Sequence, residues 1–131
     1  MARSRWKLAK GRSWRSKPEH AHSKPGKVFP MPPRNRKTLG AGTMVIPRPL
    51  SVEALMRRPK KGQVVTVSQI RGELAREAGA TAACPMTTGI FMRIAAEAAE
   101  EDRRAGMSRV TPYWRTVMDD GRLMSKFPGG A

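Results

Sequence analysis

Residues 63–79 read Gln63-Val64-Val65-Thr66-Val67-Ser68-Gln69-Ile70-Arg71-Gly72-Glu73-Leu74-Ala75-Arg76-Glu77-Ala78-Gly79, and the hydrophobic period changes along them. Val64, Val65 and Val67 make a short β-branched run. Ser68 then stands where a hydroxyl can cap a helix over residues 69–78, with Ile70, Leu74 and Ala78 on one face and Gly79 as a natural stop. After a connector at 80–85, a longer helix is expected from about Met86 or Thr87 through residue 104. Ile90, Phe91, Ile94, Ala95 and Ala98 would face inward, and Glu97, Glu100, Glu101 and Asp102 outward. Two helices joined by a short connector define a helix-turn-helix candidate, whose second helix would read a groove from its N-terminal end.

Outward from this pair, Ser51 can cap a short helix through about Arg58, with Val52, Leu55 and Met56 at helical spacing and Pro59 ending it. Before it, Gly40 and Gly42 precede the apolar run Met44-Val45-Ile46, which Pro47 and Pro49 keep extended. On the other side, residues 109–117 and 122–124 read as strand pieces joined by Asp119, Asp120 and Gly121, and Asp-Gly is a strong hairpin signal. A hairpin after a helix-turn-helix is a wing. The expected fold class is therefore α/β: a mainly helical winged helix-turn-helix domain over residues 38–131, with a small β-hairpin wing.

Residues 1–37 are of another kind. They hold 12 of the 26 Lys and Arg and one acid, Glu19, whereas residues 38–131 carry 14 bases against 9 acids. Pro18, Pro25, Pro30, Pro32 and Pro33 interrupt them, and their apolar residues follow no period, so a disordered basic arm is expected. Trp6 and Trp14, set among Arg3, Arg5, Lys7, Lys10, Arg12 and Arg15, suit phosphate contact with some base stacking; a nonspecific basic arm is the plainer reading. The net charge of +16 and pI of 11.5 call for a polyanionic partner, nucleic acid before an anionic membrane surface.

The chain contains no apolar run long enough to span a bilayer and no secretory signal at its start, so no membrane partner is expected and a cytoplasmic, nucleoid-associated monomer is. One cysteine, Cys84, cannot close an intramolecular disulfide, and with only His20-Ala21-His22 besides it, no metal or other cofactor is expected.

The order of motifs is more specific than any one of them. Val64-Val65-Thr66-Val67-Ser68-Gln69-Ile70, then Thr87-Thr88-Gly89, then Thr111-Pro112-Tyr113-Trp114-Arg115-Thr116-Val117, then Asp120-Gly121-Arg122-Leu123 and Gly129-Gly130, resemble the DNA-binding domain of the methylated-DNA–protein-cysteine methyltransferases. The resemblance covers about residues 51–131. In that family a Pro-Cys-His-Arg motif supplies the thiolate that takes an alkyl group from O6-alkylguanine rotated out of the duplex. Here Tyr113 stands at the cysteine position and Trp114 at the histidine position. A phenol, with a pKa near 10, does not replace a cysteine activated by histidine. The family's nucleotide-rotating tyrosine corresponds to Val67, and the arginine that fills the vacated stack falls near Met86; Arg115, Gly121 and the double glycine match.

What the resemblance implies is the alkyltransferase-like branch, which binds alkylated DNA in DNA repair without the acceptor cysteine. On that reading Ser68, Gln69, Met86, Thr87, Thr88, Arg93 and Arg115 contact double-stranded DNA. Tyr113, Trp114 and Phe127 line a pocket for an O6-alkylguanine, there is no catalytic residue, and a downstream repair protein is a possible partner. The bland alternative for Tyr113 and Trp114 is packing within the wing. Three rival functions stand beside this one: a plain duplex binder on the same frame, an alkyl acceptor using Cys84, and an RNA- or ribosome-associated basic protein.

Overall fold

The computed structural model describes residues 27–125, 127 and 128. Residues 1–26 of the expected arm, and Gly129-Gly130 of the family motif, lie outside them. The chain forms a mixed α/β fold, mainly helical: β1 (Lys27–Pro30), a 3-10 turn (Pro33–Asn35), α1 (Arg36–Leu39), β2 (Thr43–Ile46), α2 (Pro49–Met56), β3 (Val65–Thr66), α3 (Val67–Ala78), β4 (Ala82–Ala83), α4 (Pro85–Arg104), a 3-10 turn (Tyr113–Arg115) and β5 (Thr116–Val117).

Two small open sheets hold these helices. In one, β2 pairs antiparallel with β1 (Lys27 opposite Ile46) and parallel with β4 (Val45 opposite Ala83); in the other, β3 pairs parallel with β5 (Val65 opposite Thr116). The end of the expected arm is thus folded: Val28 and Phe29 suit a strand, and Met31 just beyond it is buried. The connector between the two main helices is itself a strand, β4, so the turn of the helix pair is stitched into a sheet.

Helix α3 begins earlier than the Ser68 cap implied. Thr66 is the N-cap: its side chain accepts from the Gln69 amide at 3.1 Å, and the Gln69 side chain accepts from the Thr66 amide at 2.9 Å. This Thr-x-x-Gln box satisfies two amides reciprocally and outcompetes a single hydroxyl. Gly79, at φ 67°, closes the helix in the left-handed conformation that glycine adopts without strain. Pro49 and Pro85 open α2 and α4, where a missing amide costs nothing and the fixed φ is already helical.

Ile70 and Leu74 from α3, Val52, Leu55 and Met56 from α2, and Met92, Ala95 and Ala96 from α4 share one core with Val45, Ala83 and Phe127. The run of alanines on α4 lets its backbone approach its neighbours closely, and Ala96, Ala98 and Ala99 are wholly enclosed. Glu53 is buried in this interior; Thr111 Oγ1 donates to its Oε2 at 2.8 Å, and Arg57 stands 3.7 Å away. Residue 111 is thereby fixed to α2, and the segment after it is aimed back across the helices.

The expected hairpin of 109–117 with 122–124 is not formed as two paired strands. The Met118 amide donates to the Arg122 carbonyl at 2.7 Å and the Gly121 amide to the Met118 carbonyl at 2.8 Å, closing a tight turn with Gly121 at φ 90°. The strand beside it turns to β3 instead. Thr116 and Val117 are both buried there, which a free-standing ribbon would not achieve.

Candidate functional site

Of the three residues expected to line a pocket, Tyr113 stands between Trp114 and Phe127. The Tyr113 ring stands edge-on to Trp114 at 5.4 Å between centroids and to Phe127 at 5.5 Å. Phe127 is a core residue at 3 % exposure, whereas Trp114 leaves 44 % of its surface open. Of the three rings the indole is therefore the most accessible, and Tyr113 separates it from Phe127.

The Tyr113 hydroxyl donates to Glu100 Oε2 at 3.2 Å and stands 3.4 Å from the Pro128 carbonyl. Arg103 grips the same carboxylate with both fork nitrogens, Nε to Oε2 at 3.1 Å and Nη2 to Oε1 at 2.6 Å. That grip, seconded by the Tyr113 hydroxyl, holds Glu100 below the usual carboxylate range in spite of its burial. Burial, then the Glu100 charge, pushes the Tyr113 phenol upward, further from any nucleophilic role at neutral pH. Glu100 was expected outward with the other acids of α4; it is buried because Tyr113 and Arg103 close over it.

The helix residues divide. Met86, in the first turn of α4, is 65 % exposed, and Thr87 is half-buried with its hydroxyl 3.5 Å from the Cys84 carbonyl. Thr88 does not face outward: it is fully enclosed, one turn before Met92 on the buried face of α4, and its hydroxyl has no partner among the described residues. Arg93 lies along α4, only 15 % of its side chain exposed, 3.8 Å from Glu97. Burial raises the Glu97 carboxyl above its ordinary value against the pull of Arg93. Arg115 donates to the Pro59 carbonyl at 3.4 Å, tying the aromatic turn to the segment that follows α2.

At the start of α3, Gln69 is occupied in the cap, and Ser68 donates to Asp119: Oγ to Oδ2 at 2.5 Å and N to Oδ1 at 3.4 Å. Asp119 therefore pins the 118–122 turn to the helix, a role that its hairpin reading missed. Beside this pin a cleft of about 280 Å³ is lined by Val67, Ser68, Arg71, Met118, Asp119 and Asp120. A larger cleft of about 820 Å³ lies between the end of α2 and the start of α3, against Arg58, Pro59, Val64, Val65, Ile70 and Glu73. None of the three aromatics lines either cleft.

Cys84 is the N-cap residue of α4 and is buried against Met31 and Met44 in a second small core under β1 and β2. Its amide donates to the Val45 carbonyl at 2.9 Å, a position that strand pairing requires. Among the described residues no three His, Cys, Asp or Glu side chains gather as for a metal ion, and no helix is long and apolar enough to cross a membrane.

Fold and site together define a mixed α/β domain in which two helices, joined by a strand, carry an exposed aromatic turn on one flank. No protein-family model, no curated protein and no solved structure matches this chain.

Proposed function

We propose that the chain is a non-catalytic, alkyltransferase-like DNA-binding protein that tests duplex DNA for alkylated guanine. In this reading α3 and α4 act as a helix-turn-helix, the 118–122 turn takes the place of a wing, and phosphate contacts from a chain of charge +16 supply the affinity. The observation that carries the reading is the aromatic turn: a Trp114 side chain 44 % exposed, in a T-shaped contact with a Tyr113 whose hydroxyl donates to Glu100. An indole held in this way is a stacking platform for a base displaced from the duplex.

The same turn supports the absence of alkyl transfer. The residue at the acceptor position is a phenol engaged with a carboxylate, and the one thiol is enclosed beneath a sheet with Met31 and Met44 around it. Thr88 is withdrawn from the proposed contact set, because a fully enclosed side chain cannot reach a phosphate or a base. Met86, Thr87 and Ser68 remain on accessible or half-accessible ground.

The test is a titration of matched duplexes, one with guanine and one with O6-methylguanine, at fixed salt, with structured RNA as competitor. Tighter binding of the methylated duplex, with the protein mass and the lesion both unchanged afterwards, is expected. Equal affinities leave a plain duplex binder, and preference for RNA moves the protein to another class.

A further inference from the structure

The charge of the folded part is unevenly placed. Residues 27–52 contain Lys27, Arg34, Arg36, Lys37 and Arg48 and no acid, whereas residues 53–131 mix their bases with nine acids. All five cations are exposed. Among the described residues none of the five pairs with a carboxylate, in contrast to Arg57, Arg58, Arg76, Arg103 and Arg122.

Sheet topology sorts the five into two groups. Lys27 lies opposite Ile46 at one end of the β1–β2 ladder, and Arg48 follows Ile46 by two residues in extended backbone. Arg34, Arg36 and Lys37 belong to the connection at the opposite end, beyond the Pro30–Thr43 pair. Because β4 runs parallel to β2, the chain leaves β4 at the Ile46 end, and there α4 begins with Pro85 and Met86. Lys27, Arg48 and the first turn of α4 therefore share one end of one sheet.

Two strand spacings of about 4.8 Å each put the Lys27 backbone roughly 10 Å from the start of α4. The major groove is about 12 Å wide, so a cation displaced by that distance from a helix seated in it falls over the bordering phosphates. In the sequence, the residues before Lys27 hold eight Lys and Arg against one acid, Glu19.

We propose that the sheet end carrying Lys27 and Arg48 is a second phosphate-binding contact, flanking the groove-facing helix. It rests on the DNA-binding reading above and adds a direction: within this sheet the phosphate contacts lie at one end and do not follow its total charge.

The test compares two full-length variants on one guanine duplex over a salt series: Lys27→Gln with Arg48→Gln, and Arg34→Gln with Arg36→Gln and Lys37→Gln. Each lost phosphate contact takes about 0.9 from the slope of log affinity against log salt, so the double variant should be shallower by roughly 1.8 and bind some tens of times more weakly near 0.1 M. The triple variant, though it removes more charge, should keep nearly the parent's slope. Thermal melts of both variants should match the parent, since all five side chains are exposed. Losses that scale with the number of charges removed, or a triple variant weaker than the double, overturn the proposal while leaving DNA binding intact. A parent chain that binds no duplex defeats both.

Discussion

Truncating Trp114 to alanine separates a recognition surface from a packing residue. At 44 % exposure, just over half of the side chain is covered. For a side chain that can bury up to ~250 Å² that is about 140 Å², or about 3.5 kcal/mol at ~25 cal/mol per Å² as an upper bound. Part of this is regained by the remaining methyl group, and the edge contact with Tyr113 is lost, so a cost of about 2–3 kcal/mol is expected. In a fold of this size that lowers the melting temperature by roughly 8–12 °C and leaves the protein folded at room temperature. A base stacked on the indole contributes about 1–3 kcal/mol, so the preference for the O6-methylguanine duplex should fall about 5- to 150-fold, to parity, while unmodified-duplex affinity changes little. Differential scanning calorimetry and fluorescence titrations of parent, Trp114→Ala and Trp114→Phe measure both quantities, the phenylalanine variant retaining part of the stack. A variant that stays folded yet loses both duplexes equally, or a parent without any preference, refutes the assignment of Trp114 to lesion recognition.

Gly42→Ala should destabilise by about 2–4 kcal/mol, seen as a lowered denaturant midpoint: the backbone sits at φ 113°, and an added Cβ would lie 2.2 Å from Thr81 Oγ1, which accepts from the Thr43 amide. Thr111→Val removes the buried donor to Glu53 and should cost about 1.5–3 kcal/mol by the same measurement, a charged acceptor making the bond stronger than average. The pH dependence has two limbs. Glu100 titrates below its unfolded value, so its contribution is complete above about pH 4.3 and is lost as pH falls through its folded pKa; Glu100→Gln should flatten the acid limb of a stability profile. Tyr113 titrates above its unfolded value, so its contribution is complete below about pH 10 and is lost as pH rises through its folded pKa; Tyr113→Phe should flatten the alkaline limb. Cys84→Ala should cost about 1 kcal/mol and leave DNA affinity unchanged, while mass spectrometry of the parent after exposure to alkylated DNA should find no adduct.

The helices at 67–78 and 85–104 were legible because Ile70 and Leu74, and Ile94, Ala95 and Ala98, repeat at the helical period beside Gly79 and Pro85. The cap is written in Thr66-Val67-Ser68-Gln69 as a Thr-x-x-Gln box, but Ser68, two residues on, offers a competing hydroxyl. What periodicity hides is the pairing of distant segments. Nothing local to Thr116 and Val117 indicates that their partner is β3 and not residues 122–124, because Asp119-Asp120-Gly121 is an equally good sequence for a hairpin and for a bare turn. Glu100 sits among acids of the same spacing, and only the return of Tyr113 and the Arg103 fork selects it for burial. Thr88 looked polar and forward-facing at a helix start, while its position one turn before Met92 decides its burial. The sheet end shared by Lys27, Arg48 and α4 depends on strand direction, which sequence alone does not state.

The parallel pairing of β3 with β5 joins residues 65 and 116 through two residues on each side. Closing so long a loop for so short a ladder gives little return until the helices between are packed, so this pairing belongs late in folding. In the native state so short a ladder protects little, and amides at 116–118 should exchange hydrogen faster than those in the middle of α4. A nascent chain would hold its helix pair before its aromatic turn, and a ligand gripping Trp114 would slow that exchange.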